Sequence, residues 1–366
     1  MNKKLLPPHS EAKIKLLKAY LEAYLGVIGN DQYTERIFLA DLFCGPGGYK
    51  DDKVGSPVQI GRMLAAMHNK NKRSPITEFL FNDTDATNVE NVESYLCPLA
   101  SKHSKIKLLP SVKDASALLP FLLEEQTQSS QKTKRFYFVD PFGYSQITLN
   151  EIFSLLKAQG SELLLFQPSS FMFRFSEKGT PEALSDFMEE LSQGSSWPQG
   201  LTIMEYIQHT KNLFRQKLNQ THYVDSFSIQ KDSKTVFCLF FFTKHIRGFE
   251  KMLEAKWRFN GETGQGWHYS AASGVVDLFS RPNPQTQLLV REIEKLLEAG
   301  PVSNLDIYRR TLENGFLPKH AAEILSTFQN EGKLVISPKP PRKGAFYLGY
   351  EKHKNRDGTF SFSKVN

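Results

Sequence analysis

A short glycine-rich stretch after an apolar run is the first place in the sequence where chemistry is expected. The run Ile37-Phe-Leu-Ala-Asp-Leu-Phe43 predicts a buried strand, and Cys44-Gly-Pro-Gly-Gly48 follows it. Glycines there let the backbone approach a ligand closely, and turn amides can hold a carboxylate or a phosphate. The spacing fits neither a nucleotide P-loop nor the dinucleotide fingerprint, because Lys50 falls at the wrong position for both. The stretch therefore predicts a ligand-binding turn of another kind.

Acidic residues at the ends of further predicted strands form the second candidate group. Asp83 closes the second strand with Asp85 beside it, Asp114 follows the third strand, and Asp140 follows the fourth. Any one of them, taken alone, is explained most simply as a helix cap or a turn residue. The carboxyl ends of parallel strands meet at one edge of a sheet, where ligands collect at the switch in strand order. As a set with Asp41, these acids predict a binding site at that edge.

Strands alternate with helices through most of the chain. An apolar stripe at helical spacing predicts an opening helix that Ser10 caps. Further strands are predicted at 37–43, 78–82, 106–109, 135–139, 162–166 and 236–243, and helices at 56–68, 86–96, 115–125 and 149–157. Residues 170–220 are expected to be helical, and 261–273 to form a long loop. The alternation predicts a doubly wound, Rossmann-like α/β fold whose parallel sheet is covered by helices on both faces.

A second domain is expected after Arg281-Pro-Asn-Pro284, the best boundary in the sequence. Helices are predicted at 286–299, 304–313 and 318–331, and a hairpin at 333–336 and 345–348 around a basic turn. Three helices followed by a basic hairpin are typical of a winged helix. The predicted domains are therefore 1–280, a winged helix at 281–351, and a loose polar tail at 352–366.

The basic charge of the chain is concentrated in this C-terminal part. The formal net charge is 46 − 39 = +7, and residues 281–366 contain 14 Lys and Arg against 9 Asp and Glu. In a helix-turn-helix the second helix of the pair enters the major groove, and basic side chains of a wing contact phosphates. Winged helices also bind proteins, and Glu323 and Glu331 on the predicted recognition helix leave that alternative open. The residues predicted to contact nucleic acid are Lys319, His320, Lys339, Arg342 and Lys343.

Composition argues against several classes of protein. Cys44, Cys97 and Cys238 lie far apart, which argues against structural zinc, a cysteine-ligated iron–sulfur cluster and a disulfide framework. The nine histidines show no metal-binding spacing, so no metal is expected. No apolar run is long enough to span a membrane, and the N-terminus lacks the apolar core of a signal peptide. A cytoplasmic protein is expected.

The ordered motifs resemble those of a known family. After a strand, Asp41-Leu-Phe-Cys-Gly-Pro-Gly47 is similar to the first motif of class I S-adenosylmethionine-dependent methyltransferases. Together with Gly55-Ser-Pro57, Asp140-Pro-Phe-Gly143 and Gly248–Trp257, it resembles the three-Cys-motif partner protein family over about residues 10–350, winged helix included. The name of that family refers to cysteines of a partner, so the resemblance implies a three-Cys-motif protein as a partner.

The resemblance implies S-adenosylmethionine as the cofactor and gives each strand end a task. The two glycines of the turn would face its methionyl part, and Asp41 would receive its amino group. Asp83 would accept both ribose hydroxyls, since a carboxylate offers two acceptor oxygens, and Asp85 competes for that role. Asp114 would take the adenine amino group. The residues implied to contact the cofactor are Asp41, Phe43, Gly45, Gly47, Asp83, Asp85 and Asp114.

The segment Asp140-Pro-Phe-Gly143 resembles the Asp-Pro-Pro-Tyr motif of enzymes that methylate exocyclic amines. In that motif the side chain accepts from the amine and an aromatic ring stacks on the base. The resemblance implies Asp140 and Phe142 as catalytic residues, with Tyr144 as another stacking candidate. Gly143 stands where that motif has its aromatic residue, and the alternative is that the segment only shapes a turn under the cofactor.

Three functions are compatible with these features. The leading prediction is a methyltransferase that acts on nucleic acid, which the winged helix helps to hold. The second is a companion subunit of a cysteine-rich iron–sulfur or radical enzyme, with or without bound cofactor. The third is a DNA-binding regulator with a degenerate enzyme domain, which the intact glycine turn and strand-end acids disfavour.

Overall fold

The computed structural model describes residues 5–50, 52–71, 73–141, 143, 146–169, 173, 182–194, 197–198, 200–268, 284–340, 342–355 and 360–365. The chain divides into two compact units. The first consists of Met1–Gly248 with Gln265–Val276, and the second of Phe249–Gly264 with Asp277–Asn366.

The first unit is built from alternating helices and strands. Its strands are β1 Arg36–Asp41, β2 Ile76–Asp83, β3 Ile106–Val112, β4 Thr133–Val139, β5 Ser161–Gln167, β6 Tyr223–Gln230, β7 Val236–Thr243 and β8 Gly266–His268. Its helices are α1 Pro8–Ile28, α2 Ser56–Lys70, α3 Ala86–Ala100, α4 Ala115–Gln128, α5 Leu149–Ser154, α6 Glu182–Ser192 and α7 Ile203–Lys217, and α8 Ile246–Phe259 contributes residues to both units.

These strands form one sheet in the order β3-β2-β1-β4-β5-β7-β6-β8. The pairs among β1 to β5 are parallel, whereas β7 runs antiparallel to both β5 and β6. The chain proceeds outward from β1 to β3 and then returns to place β4 on the other side of β1. The switch in strand order therefore falls between β1 and β4, where open α/β sheets bind their ligands. The predicted doubly wound α/β fold is confirmed.

Two strands of the sheet were not predicted from the sequence. Strand β6 follows the predicted helical region 170–220, in a stretch for which no element was predicted, although its buried and half-exposed residues alternate as in a strand. Strand β8 lies within the predicted loop at 261–273 and pairs in parallel with β6. Helices α6 and α7 account for the described part of the predicted helical region.

Helix α1 packs across the sheet through large side chains. The ring centroid of Tyr20 lies 5.6 Å from that of Phe136 on β4 and 4.7 Å from that of Phe241 on β7. The helix begins at Pro8, and Pro7 is its N-cap without a side-chain bond. The predicted cap, Ser10, lies inside the first turn, because a proline suits the first helical position and starts the helix earlier.

The second unit contains a helical core and a small sheet. Its further elements are α9 Gln287–Glu298, β9 Val302–Ser303, α10 Asn304–Glu313, α11 Pro318–Asn330, β10 Leu334–Ser337, α12 Tyr350–Lys354 and β11 Ser361–Lys364. The three strands pair antiparallel in the order β10-β11-β9. The three helices predicted for this region are present. The boundary predicted at 281 stays a prediction, since residues 269–283 lie outside the described residues.

The sheet of this unit corrects two expectations. The partner of β10 is Ser361–Lys364, whereas the predicted partner, 345–348, forms no strand. The segment expected to be a loose tail is therefore partly a central strand. The reason is the side chain of Phe362, which is fully buried opposite Ile336 and Val302. Among the described residues, no helix is both long and apolar enough to cross a membrane.

Candidate active site

The glycine-rich turn after β1 requires glycine at two positions. Gly45 and Gly47 have φ values of 61° and 70°, in the left-handed region that other residues rarely adopt. A Cβ atom on Gly47 would lie 2.7 Å from Cγ2 of Val92, whereas one on Gly45 would meet nothing within 4 Å. Gly47 is therefore fixed by packing against α3, and Gly45 leaves open space in which another molecule can approach the backbone.

Asp41 ends β1 as a fully buried carboxylate. Its Oδ2 accepts a hydrogen bond of 2.6 Å from the hydroxyl of Ser56, and its Oδ1 has no partner in the described part of the chain. Burial raises the pKa of Asp41 to about 7, and the negative charge of Asp140 adds to that shift. A buried acceptor without a donor is unusual in a folded protein, and a ligand with an N–H group would satisfy it.

Asp83 ends β2 and organises the same turn. Its Oδ2 accepts from the backbone N–H of Gly45 at 2.9 Å, and its Oδ1 accepts from that of Asp85 at 2.9 Å. Each carboxylate oxygen retains a second lone pair for a ligand. Asp85 is exposed and accepts from the N–H of Thr87, so it caps α3. Of these two competitors for one role, Asp83 lines the neighbouring cleft and Asp85 does not.

A cleft of about 310 Å³, its open mouth included, lies beyond the ends of the first three strands. Asp114 stands there at the N-cap position of α4 and is exposed, yet its carboxylate makes no capping hydrogen bond. Phe43 lines the same cleft from the glycine turn. The lining residues are Leu42, Phe43, Asn82, Asp83, Thr84, Lys113, Asp114, Ala115 and Gln146. Of the predicted cofactor residues, Phe43, Asp83 and Asp114 therefore line this cleft, whereas Asp41, Gly45, Gly47 and Asp85 do not.

Asn82 holds these strand ends in place and was missed by the sequence argument. Its Nδ2 donates to the carbonyls of Leu42 and Lys113 at 3.1 and 2.9 Å, and its Oδ1 accepts from the Lys113 N–H at 3.2 Å. The side chain therefore ties the ends of β1, β2 and β3 together. The only signal in the sequence was a polar residue beside Asp83 at the end of the strand.

Asp140 follows β4 and meets a residue from a distant part of the chain. Its Oδ2 forms an ion pair with Nζ of Lys13 on α1, and the two side chains are 20% and 11% exposed. The same Nζ lies 4.1 Å from the ring centroid of Phe166 on β5. Lys13 was not predicted as a site residue. A signal existed, because Lys13 falls in register with the buried Leu17, four residues on along α1.

A second cleft lies beyond β4 and β5 on the side of Asp140. It is mostly apolar and is lined by Pro141, Gly143, Ile147, Ile152, Leu165, Phe166, Gln167, Pro168 and Phe187. Oε1 of Gln167 and Oγ of Ser169 are buried and have no hydrogen-bond partner within the described ranges. Phe142 and Tyr144 lie outside the described residues, so their predicted roles stay predictions.

The predicted nucleic-acid contacts of the second unit separate into two groups. Lys319, Lys339, Arg342 and Lys343 are exposed. His320 is only 1% exposed, and its ring centroid lies 4.2 Å from that of Trp257. The prediction for His320 was wrong, because the residue belongs to the core of this unit and cannot present its ring to a base.

The C-terminal match agrees with this architecture. A family model described as a GMT-like wHTH domain matches residues 274–341. That span covers most of the predicted winged helix and confirms its type, but it is too small a part of the chain to define a family for the whole protein. A comparison of the sequence with curated proteins gives no match.

Several solved structures are similar to the chain. One is an O-methyltransferase from Bacillus cereus in complex with SAH, with 11% identity, 65% of this chain and 84% of that chain covered, and a TM-score of 0.35. Another is the O-methyltransferase TomG from Streptomyces achromogenes in complex with SAM, with 15% identity, coverage of 63% and 78%, and a TM-score of 0.35. A third is the METTL16 MTase domain, with 13% identity, coverage of 62% and 66%, and a TM-score of 0.32.

The strand order, rather than these scores, defines the class of the fold. Five parallel strands with the switch between β1 and β4, followed by the antiparallel β7, form the sheet of class I methyltransferases. The protein is a class I methyltransferase-like α/β domain with a C-terminal winged helix. Among the described residues, no group of three or more His, Cys, Asp and Glu side chains is placed to hold a metal ion.

Proposed function

We propose that this protein is an S-adenosylmethionine-dependent methyltransferase that acts on nucleic acid. The observation that carries the proposal is the unpartnered, fully buried Oδ1 of Asp41 beside the open space at Gly45. Asp83 and Asp114 extend the row of carboxylates along the ends of the neighbouring strands. A ligand with donors at both ends fits this row, and S-adenosylmethionine carries an amino group at one end and ribose hydroxyls and an adenine amino group at the other.

Each of these residues then has a binding role. Asp41 accepts from the methionyl amino group, and the backbone at Gly45 and Gly47 approaches the same part of the cofactor. Asp83 accepts from the ribose hydroxyls through its remaining lone pairs, and its bonds to the turn hold its carboxylate in one orientation. Asp114, whose carboxylate is not used for capping, accepts from the adenine amino group, and Phe43 packs on the cofactor. When bound, the cofactor supplies an activated methyl group.

The nucleic-acid part of the proposal is supported by the second unit. A winged helix with exposed basic residues at its turn offers phosphate contacts that do not depend on sequence. Lys339, Arg342 and Lys343 are exposed, and none has a salt-bridge partner among the described residues. The wHTH match also favours the DNA-binding regulator, because such a protein needs the winged helix but not the cleft.

Titration calorimetry of S-adenosylmethionine into the purified protein tests the first part. Asp114→Ala removes an exposed carboxylate without breaking a described bond, and Asp83→Asn keeps one acceptor oxygen. We expect both variants to bind the cofactor roughly 10- to 100-fold more weakly than the wild type. Asp186→Ala, an exposed acid on α6, is the matched control and should bind as the wild type does. Absence of binding to the wild-type protein would exclude the proposed enzyme.

Transfer of labelled methyl groups to DNA and RNA tests the second part. Transfer that needs the basic turn of the winged helix supports a nucleic-acid methyltransferase. Tight binding to one DNA sequence, independent of S-adenosylmethionine and without transfer, would instead identify the regulator. A cysteine-rich protein that is required for transfer would identify the companion-subunit alternative.

A further inference from the structure

The proposed function gives no role to the ion pair between Lys13 and Asp140, which lies on the side of the site where the methyl acceptor is expected to bind. Lys13 is 8% exposed, and it contacts both the carboxylate that follows β4 and the ring of Phe166 at the end of β5. Phe166 lines the second cleft, and Asp140 directly precedes Pro141, which lines it as well. The ammonium group of Lys13 is thus held next to the expected binding place of the methyl acceptor. The following inference rests on the proposed methyl transfer to nucleic acid.

Helix α1 places Lys13 firmly. Seven residues further along the helix, the hydroxyl of Tyr20 donates to the carboxylate of Glu162 at the start of β5. Tyr24 continues the same contacts, with its hydroxyl 3.4 Å from the carbonyl of Arg135. Helix α1 therefore runs antiparallel to β4 and β5, with its N-terminal part at the carboxyl ends of these strands, and this places Lys13 beside Asp140.

Stability alone does not explain a charge pair in this position. Replacing a buried ion pair by apolar residues of similar volume is often neutral or stabilising, because removing two charges from water is unfavourable. A charge pair at the carboxyl ends of the strands, where open α/β sheets bind their ligands, is a candidate for chemistry. His9, one turn before Lys13, adds no positive charge at neutral pH, because burial lowers its pKa to about 4. Lys13 is therefore the cation that acts on an acceptor bound beside Asp140.

The charge of Lys13 discriminates between two kinds of acceptor atom. An amine nitrogen that attacks a methyl group becomes positively charged, and a neighbouring ammonium opposes this. A hydroxyl oxygen that loses its proton becomes negatively charged, and the same ammonium stabilises it. A carboxylate within reach of that oxygen can take the proton as a general base. The pair of Lys13 and Asp140 therefore favours methylation of a hydroxyl oxygen and disfavours methylation of an amine nitrogen.

We propose that Lys13 and Asp140 are catalytic residues for methylation of a hydroxyl oxygen, which in a nucleic acid is the 2′-hydroxyl of an RNA ribose. The acceptor oxygen forms a bond to the methyl carbon, and the carbon–sulfur bond of S-adenosylmethionine breaks with its electron pair left on sulfur. The hydroxyl proton passes to Asp140, and Lys13 stabilises the developing negative charge. In this proposal a ribose hydroxyl is the methyl acceptor, in place of the exocyclic amine that the motif around Asp140 suggested.

Product analysis is the first test. RNA and DNA of the same sequence are incubated with the wild-type protein and labelled S-adenosylmethionine, and the RNA is then hydrolysed with alkali. A methylated 2′-oxygen protects the adjacent phosphodiester, so we expect the label in alkali-stable dinucleotides and no labelling of DNA. Label in base nitrogens of either polymer would overturn the hydroxyl assignment and leave the proposed function intact. Failure to bind S-adenosylmethionine would instead overturn the proposed function itself.

Variants test the two residues. Lys13→Met and Asp140→Asn should each lower the turnover number at least about 100-fold, with the affinity for S-adenosylhomocysteine changed less than about threefold. Lys18→Met, an exposed lysine on the same helix, is the matched control. Turnover by Lys13→Met close to that of the wild type would overturn the proposal.

A binding measurement completes the test without turnover. With S-adenosylhomocysteine bound, the wild-type protein should bind the RNA about tenfold more tightly than the same RNA with a deoxyribose at the methylated position. Lys13→Met combined with Asp140→Ala should lose that preference, because both groups that contact the hydroxyl are then gone. A preference that survives in this double variant would show that neither residue contacts the acceptor and would overturn the proposal.

Discussion

Asp41 and Asp140 follow adjacent strands of the sheet, and the charge of Asp140 adds to the burial that raises the pKa of Asp41 to about 7. The two carboxylates differ in their surroundings. Asp140 is paired with Lys13, whereas Asp41 accepts from the hydroxyl of Ser56. The backbone of Phe43 and the more distant charge of Lys13 lower the pKa of Asp41 against the effect of burial, and its Oδ1 has no hydrogen-bond partner in the described part of the chain. Under the proposed function these two acids at one switch point have different tasks: Asp41 binds the cationic group of the cofactor, and Asp140 accepts a proton.

Cofactor affinity should depend on pH through Asp41. The carboxylate must be ionised to pair with the ammonium group of S-adenosylmethionine. Below its pKa of about 7 the carboxyl group is mostly protonated, and the free energy needed to remove that proton weakens binding. Affinity should therefore fall by up to about tenfold per pH unit as the pH is lowered from about 7 to 5.5. Calorimetry in buffers of different ionisation enthalpy should also detect proton release on binding near pH 6.

The matched variant for this prediction is Asp41→Asn, which keeps the shape and one acceptor oxygen. We expect weaker binding at neutral pH and a flat affinity profile across the same range, with no proton release. A wild-type profile that is itself flat would show that another group receives the amino group.

Alanine substitutions of Gly45 and Gly47 should show which glycine is required for packing and which one for the approach of a ligand. Gly47→Ala places a Cβ atom 2.7 Å from Val92 in a backbone conformation that disfavours alanine, so it should lower the free energy of unfolding by about 3 kcal/mol. Gly45→Ala meets no neighbour and should lower it by only about 1–2 kcal/mol, while cofactor binding is reduced in both. Urea denaturation of the free protein measures the difference.

Two further variants serve as controls for the turn. Gly26→Ala lies in α1 with nothing within 4 Å and has an ordinary helical conformation, so it should be neutral or stabilising. Gly47→Ala combined with Val92→Ala should recover part of the lost stability, because the contacting methyl group is removed. Equal stability of the two glycine variants would contradict the packing argument.

The part of the site formed by the strand ends could be predicted because its geometry depends on local pattern. Apolar runs that end in Asp41 and Asp83 fix where each parallel strand stops, and the glycines between β1 and α2 mark the turn. Parallel pairing then brings these ends together whatever the details of the helices. Asp114 followed from the same reasoning.

The remaining features depend on contacts that the sequence pattern does not contain. Lys13 and Asp140 are 127 residues apart, and only the path of α1 across the sheet joins them. His320 looked accessible at the start of a recognition helix, but Trp257 from another helix covers it. Residues 345–348, Ala-Phe-Tyr-Leu, are more apolar than β11, Ser-Phe-Ser-Lys, so the local pattern favoured the wrong partner for β10.

Glu162 should make the stability of the protein pH-dependent. Burial raises its pKa from the ordinary 4.5 to about 7, because the carboxylate lies fully buried between the hydroxyls of Tyr20 and Thr243. The folded state binds the proton more tightly than the unfolded state, so this contribution is present below about pH 4.5 and is lost as the pH rises to about 7. The loss amounts to about 3 kcal/mol.

Urea denaturation at several pH values between about 5 and 8 checks this sign. Glu162→Gln keeps an acceptor for only one of the two hydroxyls, which lowers its stability at every pH, but it removes the ionisation. Its stability should therefore change less across the range than that of the wild type. Glu22→Gln, which is exposed on α1, should behave as the wild type. A wild-type protein whose stability does not fall relative to that of Glu162→Gln as the pH rises would contradict the assignment.

His320 should contribute to stability and not to nucleic-acid binding. Burial lowers its pKa to about 4, so the folded state disfavours the protonated ring, and this contribution to stability is lost as the pH falls from about 6.5 toward 4. His320→Ala should lower the free energy of unfolding by about 2–3 kcal/mol through lost packing on Trp257. Thermal denaturation measures that effect. At a temperature where the variant is folded, its affinity for nucleic acid should equal that of the wild type.

The basic turn of the winged helix should supply the electrostatic part of that affinity. Lys339, Arg342 and Lys343 are exposed, and each phosphate contact contributes about 0.7–0.9 to the slope of log K against log salt concentration. Replacing all three by alanine should therefore reduce the magnitude of the slope by about 2–3 and weaken binding at low salt without changing sequence preference. Fluorescence anisotropy over a salt series measures both quantities. Lys352→Ala with Lys354→Ala, on the short helix α12, is the control for a simple loss of positive charge. An unchanged slope in the triple variant would show that the turn does not contact phosphates and would favour a protein partner for the winged helix.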